Sequence, residues 1–233
     1  YQDHINFLNK EDEHLGPTGN NKDIGFFLHP GLVIDADRNF ALGFSYVNIW
    51  NRFFNKLDRF QRNYKSLPIQ EKESYRWIEC GLESKKNLSL AKQITLVADR
   101  ESDIYEEFVT VPDHQTHLLI RSSMDRLLYD KKEKLYESVS GTKLKGKYSI
   151  KIKADKKADR TARKAEIEIR YTKIKIARPK NNSNKKLPAY IELYAVEAKE
   201  NSNKVPKGEK PIRWVLLTTH TINTIEEALQ IVK

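Results

Sequence analysis

A short apolar run from Ile94 to Ala98 ends abruptly in Asp99, and a polar stretch, Arg100-Glu101-Ser102-Asp103, leads into a helix-like pattern carried by Ile104 and Phe108. This reads as a buried central strand, an acidic tip and a helix, and open α/β sheets place ligands just beyond the carboxyl ends of such strands. A carboxylate there can hold a hard divalent cation such as magnesium, which takes oxygen ligands, keeps several waters and needs only one or two carboxylates beside substrate phosphates. The chemistry would be phosphoryl transfer. Asp3 is a possible second carboxylate, provided that the strands carrying it and Asp99 lie side by side. The alternative is that Asp99 only caps the helix that follows, a common task for Asp at such a junction. Asp35 and Asp37 form a rival acidic pair, but in the cluster Asp35-Ala36-Asp37-Arg38-Asn39 they suit a turn held by local backbone hydrogen bonds.

The elements that must position these groups read as mixed α/β. Ile24 to Val33 and Phe40 to Ile49 are apolar-rich and flank that turn, which predicts a hairpin. A helix is expected from Glu71 to Glu83 with Tyr75, Ile78 and Leu82 on one face. After Asp99, Ile104 and Phe108 stand four residues apart, the spacing that packs a helix on a sheet.

Charge divides the chain. Net charge is +10 over 233 residues, yet Arg121 to Arg213 holds 27 Lys and Arg against 12 Asp and Glu, and the remainder 15 against 20. A basic stretch is an electrostatic footprint for phosphate backbone, and an acidic remainder suits a cation-binding cleft. A solvated lysine-rich surface is the other reading. Apolar residues in the basic stretch alternate at Tyr148, Ile150 and Ile152, at Ile167 and Ile169, and at Ile174 and Ile176. Together with Tyr190 to Val196 and Trp214 to Thr219 they predict about five antiparallel strands. Asn181 to Lys186 and Asn201 to Gly208 read as mobile loops, and Ala154 to Arg163 is polar enough to order only against DNA. The candidate phosphate contacts are Lys151, Lys153, Arg163 and Lys164. Cys80 is the one cysteine, so disulfide and cysteine-cluster chemistry within the chain is excluded and a reducing, cytoplasmic setting is the expectation. No membrane-spanning run appears. His29, His114, His117 and His220 show no tight ligand spacing, while His4 adjoins Asp3.

Val97-Ala98-Asp99-Arg100-Glu101-Ser102-Asp103-Ile104-Tyr105 resembles the second-aspartate motif of bacterial cut-and-paste DDE transposases of the insertion-sequence-four (Tn-five-like) family. Tyr1-Gln2-Asp3-His4 is similar to the strand end carrying their first aspartate. Gly43 to Arg52 resembles the family's glycine-to-tryptophan strand, and Glu71 to Trp77 its Lys-Glu-Ser helix start. Leu118 to Ser122 and Pro211 to Thr218 match the strands that flank the family's inserted β-region, so the resemblance spans the chain in the right order.

The resemblance implies an RNase H-like catalytic core, a mixed sheet flanked by helices, with an inserted antiparallel β-sheet region. Residues 1–121 would be the first part of the core, 122–213 the basic insertion and 214–233 the return strand and helix. It implies Asp3 and Asp99 as metal-holding catalytic residues, Mg2+ or Mn2+ as cofactor, and metal-dependent cleavage and joining of double-stranded DNA at transposon ends. It further implies a homodimeric synaptic complex, a bacterial, nucleoid-associated location and no membrane partner. Trp214 would stack on an extruded base and Arg121 would clamp a phosphate; a core tryptophan and a surface arginine are the alternatives. The family's third carboxylate, a glutamate in a Tyr, Arg, Glu, Lys pattern, is expected a few residues after Lys233. Glu226 and Glu227 lack that setting and belong to an ordinary amphipathic helix, so this chain is expected to be a fragment inactive alone. A catalytically dead DNA-binding protein of the same fold and a simple metal-dependent nuclease are the alternatives.

Overall fold

The computed structural model describes residues 3–7 (backbone), 14–18, 23–54, 67–129, 131–182 and 184–233. The architecture is mixed α/β, and the chain separates into two compact units, residues 1–94 with 181–184, and residues 95–180 with 185–233.

The first unit is built on a hairpin of β3 (Ile24–Asp35) and β4 (Phe40–Trp50). Its turn follows from local chemistry: Asp35 Oδ1 accepts from the amides of Asp37 and Arg38 at 3.0 Å each, and Asn39 takes the left-handed conformation, φ 52°, that Asn tolerates. Asp35 therefore stabilises the turn. Strands β1 (Asp3–Phe7) and β2 (Gly16–Pro17) pair antiparallel with the start of β3. Helix α1 (Tyr75–Asn87) packs on the hairpin. It starts four residues later than expected, behind a separate 3-10 turn at Ile69–Glu71, and it buries Ile78, Gly81 and Ser84 instead of Tyr75, Ile78 and Leu82. Small residues set that register. A Cβ on Gly31 would meet Ser45 Oγ at 2.7 Å and Cys80 Sγ at 3.1 Å, and Ser45 and Ser84 share a hydroxyl hydrogen bond of 2.7 Å. The helix thus lies on the hairpin's small and polar side, while Leu32, Leu42, Phe44 and Ile49 remain 54–64% exposed.

The second unit is a six-stranded sheet in the order β5 (Ile94–Ala98), β6 (Thr116–Arg121), β10 (Arg213–Thr218), β9 (Tyr190–Glu200), β8 (Arg163–Ala177), β7 (Gly146–Ile152). From β6 to β7 every pairing is antiparallel. The basic stretch therefore continues the sheet that β6 and β10 begin. Among the described residues strand β5 ends this sheet, paired only with β6, and Val97 is 72% exposed, so β5 is not the buried central strand its composition suggests.

The two expected strands around Ile167–Ile169 and Ile174–Ile176 are one strand of 15 residues. The phase of burial changes along it: Ala165, Ile167 and Ile169 are buried, then Ile174 and Ile176. Odd and even positions of a strand point to opposite faces, so β8 is covered on one face at one end and on the other face at the other. Helix α4 (Ile225–Val232) supplies the first cover, with Ala228 in a core of Ile152, Ala165, Ile167, Ile169, Val196 and Ala198. Helix α3 (Leu135–Ser140) lies on the opposite face, where Ser140 Oγ donates to Glu197 at 2.7 Å. Helix α2 (Tyr105–Thr110) buries Phe108 as expected, together with Tyr105 and Glu107, while Ile104 is its half-buried N-cap. Residues 154–163 have an ordered arrangement within the chain itself, a 3-10 turn at Lys156–Ala158 closed by reciprocal backbone bonds between Asp155 and Arg160 at 2.9 and 3.0 Å.

Candidate functional site

Asp99 is exposed at the carboxyl end of β5 with extended backbone, and its Oδ1 accepts from the Glu101 amide at 2.9 Å. It caps the 3-10 turn Arg100–Ser102, so the capping role is real. Capping uses one carboxylate oxygen. The residue is exposed, so the cap does not preclude a second partner for the other oxygen, and the local and functional readings of this residue do not compete.

What fixes the loop behind Asp99 is the second aspartate of the same motif. The Asp103 side chain is fully buried and takes Arg126 Nη2 at 2.6 Å and Nε at 3.0 Å. Its other oxygen accepts from the Ser123 amide and hydroxyl at 2.8 and 3.0 Å. Four donors satisfy the buried charge, as burial requires. The clamp joins the turn after β5 to the turn after β6. Nothing in the sequence marks Arg126 as the partner, since it sits in a polar turn 23 residues away.

Beside the clamp, Ser102 Oγ donates to Glu107 Oε1 at 2.7 Å in a buried pocket. Burial pushes the Glu107 carboxyl up to about 8 against that hydrogen bond, so it is mainly protonated at neutral pH. Arg121 ends β6. Burial and the neighbouring Arg100 lower its pKa, and Asp99 opposes them, so Arg121 sits in the field of both. The register Leu216 opposite Arg121, with the Ser122 amide donating to Val215 O at 2.8 Å, puts Trp214 at the same end of the sheet. Trp214 is 36% exposed, too open for a core residue. Its neighbour Arg213 is held by Glu197 at 2.7 Å and Ser140 Oγ at 3.0 Å.

The four basic candidates divide. Lys151 on β7 stands directly opposite Lys164 on β8, and both are exposed. Like charges in register across a ladder are destabilising. Lys153, Lys156 and Lys157 are also exposed and follow in the adjoining connection. Arg163 differs: Glu200 holds it at 2.7 and 2.8 Å and Glu209 at 2.5 Å, and its side chain is 10% exposed. Its guanidinium is committed to the protein, which leaves the three lysines as the open cations of the set. Elsewhere on the sheet several basic residues are matched by carboxylates, among them Lys147, Arg170 and Lys173. Glu166 binds Lys204 at 2.8 Å and Lys147 at 3.0 Å, and these donors, with Asn201, hold its pKa down at about 2. At the β7–β8 tip, by contrast, Lys151, Lys153, Lys156, Lys157 and Lys164 are exposed together.

Asp3 lies on β1 opposite Leu28 of β3, in the first unit; its side chain and that of His4 lie outside the described residues. Among the described residues no group of three or more His, Cys, Asp or Glu could hold a metal ion. The donor chemistry at Asp99, an exposed carboxylate with one oxygen used in the cap, fits a hard cation that keeps most of its waters. Glu227 is not a candidate ligand: it closes a capping box with Thr224, accepting from the Asn223 and Thr224 amides at 2.6 and 3.0 Å. Two further groups escaped the sequence reading. The rings of His117 and His220 stack at 4.1 Å, with His220 held down at about 4 by burial and by His117. Tyr129 and Tyr190 form an exposed aromatic pair at 4.6 Å. No family model matches the chain, and among the described residues no helix is long and apolar enough to cross a membrane.

Proposed function

We propose that this chain is part of a metal-dependent DNA-processing enzyme of the DDE transposase type, with an RNase H-like core. In this reading its residues cleave and join phosphodiesters at the ends of a mobile DNA segment. The observation that carries the reading is the grouping at one sheet end of an exposed carboxylate, Asp99, with Arg121 in its field and the exposed Trp214 on the neighbouring strand β10. A carboxylate to hold a cation, a guanidinium for phosphate and an open indole for a base are the three group types such chemistry uses.

A bound Mg2+ or Mn2+ would supply Lewis-acid polarisation of a phosphodiester oxygen. Asp99 would hold it through the oxygen not used by the Glu101 amide, and the resemblance supplies Asp3 as the second carboxylate. Arg121 would orient the phosphate next to the scissile bond, with its charge undiminished at any physiological pH. Trp214 would receive an extruded base, for which stacking contributes about 1–3 kcal/mol. The Asp103–Arg126 clamp acts through Asp99 by fixing the turn that bears it. Lys151, Lys153 and Lys164 would meet duplex backbone. A DNA-binding protein without catalysis is the second reading, for which the exposed Lys151, Lys153 and Lys164 suffice without any metal.

Mn2+ binding followed by electron paramagnetic resonance tests the proposal. Asp99→Asn and Asp3→Asn should each weaken binding by tenfold or more, and Asp35→Asn should leave it unchanged. Binding that survives both substitutions would remove the metal site, leaving DNA binding alone.

A further inference from the structure

At the end of β8 remote from the lysine tip, the segment Leu127–Tyr129 runs along the strand's open edge. The Tyr129 amide donates to Lys175 O at 2.8 Å, the Ala177 amide donates to Leu127 O at 3.1 Å, and Leu128 is bridged to Ile176. Leu128 is 2% exposed and anchors the segment. The residue after it is turned out: Tyr129 is 52% exposed, and its ring meets that of Tyr190, itself 36% exposed, at 4.6 Å and 33°. Lys175 Nζ lies 5.2 Å from the Tyr190 ring centroid. Immediately beside the pair runs a groove lined by Leu128, Lys131, Lys173, Ile174, Lys175 and Glu192.

Two open tyrosines held against each other next to three ammonium groups are an unusual use of surface. Apolar rings left in water forgo burial, and the backbone bonds at Leu127 and Tyr129 fix the segment that carries the ring. A stacking platform beside cations is the arrangement by which proteins take unpaired nucleotides, because every base offers a π-face once it is out of a duplex. Duplex DNA hides those faces. The charges are partly compensated, Lys173 by Glu192 at 2.7 Å and Lys131 by Glu133 at 2.9 Å, so stacking and not net charge must carry the affinity.

We infer that Tyr129 and Tyr190 form a binding site for a single-stranded stretch of nucleic acid, distinct from the Asp99 site and from the β7–β8 lysines. One base stacks on the tyrosine pair and its phosphate lies in the groove between Lys131, Lys173 and Lys175. This rests on the nucleic-acid reading above and adds the strandedness of one segment of the bound DNA: a protein that opens DNA ends must hold an unpaired strand somewhere.

Fluorescence anisotropy of the whole chain with a labelled oligo-dT and with a duplex of equal length provides the test. Tyr129→Ala and Tyr190→Ala should each weaken the single strand by about fivefold to a hundredfold and leave the duplex unchanged. Tyr→Phe at both positions should keep the affinity, since the ring and not the hydroxyl is used. Lys151→Ala with Lys164→Ala should do the reverse, weakening the duplex and sparing the single strand. Equal losses on both ligands, or none with either alanine variant, would overturn the platform. Wild-type binding of duplex but not oligo-dT would overturn it while leaving the DNA reading intact, and binding of neither would remove both.

Discussion

Removing Arg126 should destabilise the second unit more than any exposed substitution in it. Arg126→Met keeps the aliphatic bulk but deletes the two guanidinium bonds to the Asp103 carboxylate, of 2.6 and 3.0 Å, and a third to its backbone carbonyl, and leaves a carboxylate with 0% side-chain exposure facing only the Ser123 amide and hydroxyl. Breaking a buried pair from one side costs about 3–5 kcal/mol, because the remaining charge is neither solvated nor matched. Ser123 retains two of the four donors, which argues for the lower half of that range. The assay is amide hydrogen exchange on β6 and β10, which reports this unit by itself, with urea denaturation as the global measure. Protection at Leu118 and Leu217 should fall by two to three orders of magnitude. Replacing the partner as well, Asp103→Leu with Arg126→Met, should recover much of the loss, since no charge then remains buried. A loss for Arg126→Met below about 1 kcal/mol, the range of an exposed pair, would refute the reasoning and with it the claim that this clamp fixes the turn carrying Asp99.

Other outcomes follow from the same geometry. Glu107 has a folded pKa of about 8, above its ordinary value of 4.5, because of burial. The folded state therefore binds more protons than the unfolded chain between these values, so stability is full below about pH 4.5 and is lost as pH rises to about 8, by up to about 1.4 kcal/mol per unit. Glu107→Gln should flatten this dependence in urea titrations at pH 5, 6.5 and 8, and an unchanged slope would assign it elsewhere. Replacing Lys151 and Lys164 with alanine should reduce the salt dependence of duplex binding by about 1.8 in the log–log slope, at about 0.9 per phosphate contact. The same variant should be slightly more thermostable, since it relieves a like-charge pair in register; equal salt slopes would mean that these lysines do not meet DNA. On the hairpin, Leu42→Lys with Phe44→Lys should cut binding of an apolar dye while leaving the melting temperature within a few degrees, because both side chains are more than 60% exposed. A large loss of stability would show that the strip is covered in solution.

Local chemistry was legible in the chain itself. The Asp35 turn, the strand ending at Asp99 and the amphipathic helix Ile225–Val232 depend on residues within a few positions of one another, and the structure has all three. The alternation in the basic stretch marked its strands but misdivided β8, because a break in phase between Ile169 and Ile174 looks the same whether the chain turns or one long strand changes the face it buries. Only the placement of α3 and α4 on opposite faces separates the two. Charge behaved likewise: composition located the basic region, but which cations stay open depends on carboxylates far off in sequence, such as Glu200 and Glu209, which claim Arg163 and leave Lys151 and Lys164 exposed. Asp103 stands four residues from Asp99 with the same side chain. Burial against Arg126 makes one a fixed internal anchor while the other stays exposed to solvent, a distinction that belongs to the tertiary structure because exclusion of water is set by the fold and not by the side chain.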